Sequence, residues 1–594
     1  MTQQRPSNFV GDIHRTDYRA PFEAGPLATA DTLVDVGTRL VEPLDGDWHF
    51  AIDAYDTCLR GGWWQERYAD DEGRPLPVDF SFDDWDTIPV PSCWNVQRET
   101  WQLYEGPAVY VRTFPFLAGA PGERQVLHLE GAYYAAYVFL NGEYIGWHRG
   151  GSTPFSLEVT GRLRETNRLL VVVDSARRPD RVPSDNLDWF TYGGLHRSVS
   201  LVRLPATFIR DAFVALRPDG TFGTADVAVT VDGPESEGIA TVEIPELGVA
   251  AQVPVVGGRG SAAVEVHPEL WSPASPRLYD VAVRYGADTW TDRVGFREIR
   301  VEGTEILLNG QDVFLAGVCL HEDSVTGGRT LTETEVRENF ALVKELGGNF
   351  VRLTHYPHAR LAARVADEMG LLLWEEVPVY WAIAFDDPST LADATNQMAE
   401  LVRRDRNRAS VVVWSVGNEN PDSDERLAFM TALADTARAL DGTRLVSAAC
   451  LVDPDGPVIA DRLTEVVDLI GINEYYGWYD PDITKLARLF ENSRPTKPVV
   501  VTEFGADAVA GLRGDDLCSE DHQLAVYRQQ LAVLGAAEAV KGTSPWILFD
   551  FRSPRRLHAL QGAYNRKGLL DETRTRRKLA FAAVRDFYQA KLGR

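Results

Sequence analysis

The chain has 594 residues, too many for one core, and its 44% hydrophobic and 25% charged composition is that of a folded protein of two to four domains. Sixty Lys and Arg against 87 Asp and Glu leave a net charge of −27, which excludes general binding to nucleic acid or an anionic membrane, because both need a basic face. The cysteines (Cys58, Cys93, Cys319, Cys450, Cys518) are scattered, odd in number and without a C-x-x-C pair, which excludes a disulfide framework or a zinc site.

The opening "MTQQRPSNFVGDIHR" lacks the apolar core of a signal peptide, and no run of eighteen apolar residues occurs. The expected compartment is a reducing cytoplasm. Residues 1–205 read as a jelly-roll-like β-sandwich: "RQVLHLEGAYYAAYVFLNGEYIGWHRGG" holds strands joined at Asn141-Gly142, a strong hairpin signal. Residues 206–299 carry short alternating strands at about ten-residue spacing, which suggests a small immunoglobulin-like β-sandwich.

From residue 300 to 594 the pattern changes. Apolar runs at 314–323, 348–355, 371–377, 411–419, 445–449, 469–476, 499–505 and 542–550 alternate with amphipathic segments. In the first of these segments Val336, Phe340 and Val343 keep helical spacing between a Thr/Glu start and a Gly-Gly stop. Eight buried strands with helices between them predict a (β/α)8 TIM barrel, whose chemistry sits at the C-terminal strand ends. Those ends are polar: His321-Glu322-Asp323, Arg352 with His355, Asn418-Glu419, Asn473-Glu474-Tyr475, Glu503 and, from the eighth run, Trp546.

Glu419 and Glu503 end Val-rich strands four and seven, which face each other across an eight-stranded ring. Paired carboxyls at a barrel mouth suit glycosidic bond cleavage, in which one protonates the leaving oxygen and the other attacks or stabilises the anomeric carbon. A separation of about 5–5.5 Å gives retention and about 6.5–9.5 Å inversion. The alternative is a buried structural acid paired with Arg352. His321 is either a sugar-hydroxyl contact or a satisfied core imidazole, and His358 belongs to loop structure. No metal is expected, because strand one carries Leu320-His321-Glu322 where metal-dependent barrel hydrolases carry His-x-His. Asp188, in "DWFTYGGLHR", reads on its own as a turn acid.

The motifs "WSVGNE" and "VVTEFG" resemble the acid/base and nucleophile motifs of glycoside hydrolase family 2. "VPSCWNVQ", "YGGLHRSVSL", "LNGQDVFLAGVCLHED" and "VRLTHYPH" resemble its N-terminal domain and first barrel strands, and the resemblance spans nearly the whole chain. It implies a retaining exo-β-glycosidase without cofactor, with Glu419 as acid/base and Glu503 as nucleophile. Asn418 would bond the sugar 2-hydroxyl, Tyr475 would hold the nucleophile, and Arg352 would keep it ionised. Asp188 would reach into the site and contact sugar hydroxyls. Family members are often dimers or tetramers, so a homo-oligomer acting on a carbohydrate or glycoconjugate is expected.

Within the family the chain is most similar to the β-glucuronidase branch. Asn565-Arg566-Lys567 matches that branch's Asn-x-Lys, which grips the C6 carboxylate, and "NEYYGWY" adds Tyr479 beside it. Terminal β-D-glucuronides are then the expected substrates. The alternatives are β-galactosides or β-galacturonides, and a noncatalytic carbohydrate-binding scaffold. Read without the family, "YNRKGLL" is a basic exposed turn. Its lead-in, "SPRRLHALQGAY", is unusually Arg-rich, and Arg555 or Arg556 either adds to an anion site or is solvated. The modest "PVYWAIAFDDPSTLADATNQ" after strand three provides no long lid, so strict selection of small leaving groups is not expected.

Overall fold

The computed structural model describes residues 18–37, 39, 41–66, 72–74, 81–453 and 456–593. The opening fifteen residues, on which the reading of a leader rests, lie outside the described residues. In the N-terminal region a six-stranded sheet (Asp86–Val90, Gly46–Ile52, Pro107–Pro115, Thr166–Asp174, Ala135–Leu140, Glu143–Arg149) packs on a four-stranded one (Val41–Pro43, Val199–Leu204, Arg124–Leu129, Phe155–Glu158). Asn141 and Gly142 make the predicted hairpin, with φ +52° and +84°, the left-handed pair that a two-residue turn of matching twist requires. Strand Ala135–Leu140 is buried on both faces: Ala136, Val138 and Leu140 enter the inter-sheet core, while Tyr137 and Phe139 pack under a second aromatic layer.

Seven antiparallel strands follow between Phe208 and Val294. Alternate residues, such as Val227, Val229 and Val231, share one core, as period-two patterning demands. The hairpin formed by Ile299–Glu302 and Glu305–Leu308 packs Ile299, Ile306 and Leu308 against Leu315, Phe350 and Leu372, closing the N-terminal end of the barrel.

The barrel itself is closed and parallel: β1 Leu315–His321, β2 Phe350–Thr354, β3 Leu372–Glu376, β4 Val411–Asn418, β5 Leu445–Cys450, β6 Ile470–Asn473, β7 Val499–Glu503 and β8 Val540–Thr543. Its outer helices are α1 Glu333–Glu345, α2 Arg360–Met369, α3 Pro388–Asp405, α4 Asp424–Leu440, α5 Thr484–Ser493, α6 Glu520–Ala536 and α7 Leu579–Lys591. Thr332 caps α1 with Glu335 in a reciprocal capping box, and the helix buries Val336, Phe340 and Val343.

Two expectations need correction. Helices do not separate every strand pair: between β5 and β6 the chain makes a small ribbon (Val452–Asp453 with Val458–Ile459) and a 3-10 turn, Arg462–Glu465. The eighth strand is Val540–Thr543 and not 542–550. The apolar "WILF" run leaves the barrel wall because its amides bond to separate places: Trp546 to Phe504, Ile547 to Lys567 and Leu548 to Cys319. Phe551–Arg552 then pairs with Tyr564–Asn565 as a two-stranded ribbon beside the mouth. Among the described residues no helix is long and apolar enough to cross a membrane.

Candidate active site

Strand periodicity places the centre of the site. In β2, Val351 and Leu353 face the helices, so Phe350 and Arg352 face the barrel axis, with Arg352 nearer the mouth. In β3 the same alternation turns Trp374 and Glu376 inward. Arg352 is fully buried and four oxygen atoms accept from its guanidinium. It donates to Glu376 Oε1 (2.5 Å), Glu503 Oε1 (2.8 Å), the Thr502 carbonyl (3.1 Å) and Asn418 Oδ1 (2.7 Å). Burial opposes its charge, but Glu376 and Glu503 outweigh that and hold it firmly protonated.

Glu503 ends β7. Its second oxygen accepts from the Tyr475 hydroxyl at 2.8 Å, and His355 Nε2 lies 3.8 Å from Oε1. A carboxylate held by a guanidinium and a phenol is fixed in orientation. Burial, and then Glu503, push the Tyr475 phenol far above its ordinary range, so it remains a donor.

Glu419 follows β4 with φ +50°, a left-handed backbone, after a register shift between Ser415 and Asn418. Trp381 Nε1 donates to Oε2 (2.8 Å) and Asn473 Nδ2 to Oε1 (3.0 Å). Burial and the neighbouring Glu503 charge push its carboxyl up to about 7. The two carboxyls therefore sit in different surroundings, Glu419 raised toward neutrality and Glu503 bonded to a buried guanidinium. Asn418 Oδ1 accepts from Arg352 and from Asn473 (3.1 Å), which fixes its amide. Its Nδ2 is buried without a protein partner.

His321 does not become a satisfied core imidazole. Nδ1 meets the Tyr356 hydroxyl at 3.2 Å, and Nε2 is buried without a partner. Burial, then His355 and His358, keep the ring neutral. His358 Nε2 bonds the Thr354 carbonyl (3.0 Å) in the loop, and burial lowers it to about 4. Neighbouring Glu322 goes to Arg197 (2.9 Å), while Asp323 accepts from Tyr192 (2.7 Å) and the Arg552 amide (3.0 Å), so the His-Glu-Asp run points at three separate places. Trp546 stacks on His355, with centroids 5.0 Å apart, at the floor of the mouth.

The "YNRKGLL" segment is not an exposed turn: Lys567 is 1% exposed. Its ammonium donates to Asp507 Oδ1 and to the Tyr479 hydroxyl, both at 2.9 Å. Burial alone would lower its pKa, but Asp507 and then Tyr479 raise it. Asp507 is held below the usual carboxylate range because Lys567, with Gln561 (2.7 Å), offsets its burial. Asn565 is buried and its Oδ1 accepts from the Lys567 amide (3.1 Å), which sets the turn. Lys567 Nζ lies 5.8 Å over the ring of Tyr475, the residue that bonds Glu503.

Asp188 reaches the barrel mouth from the sandwich, but its carboxylate is engaged. Oδ1 accepts from Ser553 (2.6 Å) and Arg556 Nε (3.1 Å), and Oδ2 pairs with the far end of the same guanidinium. Arg556 Nη1 is also 3.5 Å from the Tyr479 hydroxyl. Arg555 bonds Asn186 (3.0 Å) and covers the Trp381 ring at 4.8 Å. Both arginines of the lead-in are therefore interface residues and not merely solvated. The residues to which sequence reasoning gave no role are Trp381, Asn473, Asp507 and Glu376. Asn473 was visible as a polar strand end and Asp507 lies four residues beyond Glu503. Nothing in the pattern marked Trp381.

Facing carboxyls at a (β/α)8 mouth, one raised toward neutrality and one on a buried arginine, define a barrel glycosidase. Family comparison agrees over three successive segments: "Glycosyl hydrolases family 2, sugar binding domain" matches residues 41–205, "Glycosyl hydrolases family 2" 207–297, and "Glycosyl hydrolases family 2, TIM barrel domain" 299–533. The chain belongs to glycoside hydrolase family 2. It is 30% identical to a β-glucuronidase of Paenibacillus borealis over 93% of this chain and 96% of that one. It is likewise 30% identical to that of Canis lupus familiaris, over 92% and 90%. Among solved structures it is similar to Ruminococcus gnavus β-glucuronidase in complex with a C6-substituted uronic isofagomine (TM-score 0.82, 26% identity, 94% and 100% covered). It is also similar to a β-galacturonidase from Eisenbergiella tayi bound to galacturonate (TM-score 0.78, 27% identity, 94% and 99% covered).

Proposed function

We propose that this glycosidase removes terminal β-D-glucuronic acid from glycoconjugates by double displacement. Glu503 attacks the anomeric carbon while Glu419 protonates the departing oxygen, giving a covalent glycosyl-enzyme and a free alcohol. Arg352 and Tyr475 hold Glu503 in line. The unpartnered Asn418 Nδ2 supports its role as a donor to the sugar 2-hydroxyl, and the unpartnered His321 Nε2 supports a second hydroxyl contact. Once Glu503 is esterified its charge is gone, the Glu419 carboxyl ionises more readily, and it takes a proton from the water that releases the sugar.

The observation that carries the choice of sugar is the state of Lys567. An ammonium has three donors, and Asp507 and Tyr479 use two. The third is left for a ligand one phenol ring away from the nucleophile. The Tyr479 oxygen accepts from Lys567, so its own O–H is also left to donate. A C6 carboxylate takes both as charge-assisted bonds, with the buried Asn565 completing the turn. A neutral hydroxymethyl would leave the buried ammonium under-bonded, at about 1–3 kcal/mol or ten- to hundredfold in rate. Asp188 and Trp546 line the same mouth and complete the sugar site in this reading. A β-galacturonide shares the carboxylate and is the second reading, supported by the likeness to the galacturonate-bound enzyme. The free, mainly buried cysteines suit a reducing cytoplasm, and a homo-oligomer is part of the same proposal.

Aryl β-glucuronide, β-galacturonide and β-galactoside assayed side by side test it. The glucuronide is expected to be preferred, Glu503→Gln to abolish turnover, and Lys567→Ala to lose uronides at least tenfold more than the galactoside. Equal or better galactoside turnover by the parent enzyme overturns the uronide assignment.

A further inference from the structure

A cavity of about 410 Å³ opens beside Glu419 and is lined by Trp381, Val452, Glu474, Tyr475, Tyr476 and Tyr479, among others. Neither Glu503 nor Lys567 borders it. Tyr475 and Tyr479, which hold those two residues, do border it, and Glu419 forms one wall, so a group that Glu419 protonates has the cavity beside it.

Glu474 is the unusual member. It is 8% exposed, and among the described residues no hydrogen-bond donor or cation contacts its carboxyl. The titratable groups around it are acidic or phenolic: Glu419, Tyr476, Tyr479 and Asp480. The nearby cation Lys485 is committed to Asp480 at 2.7 Å, and Arg488 to Asp482 at 2.6 Å. Without a partner, burial and then Glu419 push the Glu474 carboxyl up to about 8. A buried carboxyl in a cavity costs free energy until a ligand supplies a donor. Four aromatic rings, of Trp381, Tyr475, Tyr476 and Tyr479, line the same cavity, and the faces of such rings also attract cations.

We propose that Glu474 selects leaving groups that carry a protonated amine, seated between its carboxyl and the rings of Trp381 and Tyr476. The ammonium supplies the donor and the positive charge that Glu474 lacks, and an anionic leaving group supplies neither. This rests on the glycosidase reading, but not on which sugar is cleaved.

The test compares 4-(aminomethyl)phenyl, 4-methylphenyl and 4-carboxyphenyl β-glucuronides at neutral pH. The ammonium substrate is expected to exceed the methyl one at least tenfold in kcat/KM, and the carboxylate to fall below both. Glu474→Gln is expected to bring the ammonium-to-methyl ratio close to that of the phenols' own acidity. That ratio is independent of how much variant folds. Benzylammonium is expected to inhibit the parent competitively and toluene not to. Equal rates for ammonium and carboxylate substrates, or a ratio untouched by Glu474→Gln, overturn the proposal. If glucuronides are not turned over but another glycoside is, the sugar assignment fails and the same three phenols on that glycoside still read the cavity.

Discussion

The Glu419 carboxyl is the residue on which pH acts. In the proposed mechanism it works protonated, and burial with Glu503 nearby raises it to about 7. Activity that needs the acid is present below that value and lost above it, so kcat/KM is expected to fall about tenfold per pH unit beyond the basic limb near 7. The same shift has a stability consequence. A carboxyl raised above its unfolded value contributes stability below the unfolded pKa and loses it as pH rises through about 7. Glu419→Gln is therefore expected to stabilise the protein at pH 8, on the order of 2 kcal/mol, and to have little effect at pH 4.5. Calorimetric midpoints at the two pH values check this; equal shifts at both would refute the assigned titration.

At the level of elements, the missing helix between β5 and β6 is compensated by one side chain. Asp461 accepts from the Leu451 amide after β5 (2.9 Å) and caps the 3-10 turn through the Leu463 amide (2.8 Å). It also forms a two-pronged pair with Arg426 of α4 (2.7 and 2.5 Å), buried on both sides. Asp461→Asn leaves that guanidinium uncompensated and is expected to cost about 3–5 kcal/mol, seen as a lower unfolding temperature of the barrel. This crossover shows where sequence reading stops. The alternation of strands and helices, and the carboxyls at the ends of Val-rich strands, follow from periodicity and were legible. The short crossover was not, because Val452 to Glu465 has neither a clear period nor a cap signal at helical spacing. Glu419 was visible as a strand end, but its left-handed turn comes from a register shift that only the neighbouring strands impose. Asp188 and Arg556 lie 368 positions apart, and no local pattern couples them.

Across the whole molecule, the sandwich is part of the catalytic mouth. Its loop inserts Trp189 among His321, His355, Tyr356 and Tyr380, while Arg197 and Tyr192 hold Glu322 and Asp323 behind β1. Trp189→Ala opens a cavity under the two site imidazoles and removes contacts worth about 3–5 kcal/mol. It is expected to lower kcat/KM at least tenfold, with far-UV circular dichroism of the barrel retained. Full activity with this variant would show the sandwich to be a passive neighbour.

The ribbon of Phe551–Arg552 with Tyr564–Asn565 hangs outside the barrel wall, whereas Arg352, Glu376 and Glu503 belong to the wall itself. In the proposed reading Asn565 and Lys567 of the sugar clamp lie on a different stretch of chain from Arg352, Glu376 and Glu503, while their partners Tyr479 and Asp507 follow β6 and β7. Under that reading, an exchange of residues 553–567 is expected to change the sugar accepted while Glu419 and Glu503 stay in place. Such exchanges meet one restraint. Arg556 must keep an acid opposite it, so positions 188 and 556 are expected to change together or not at all.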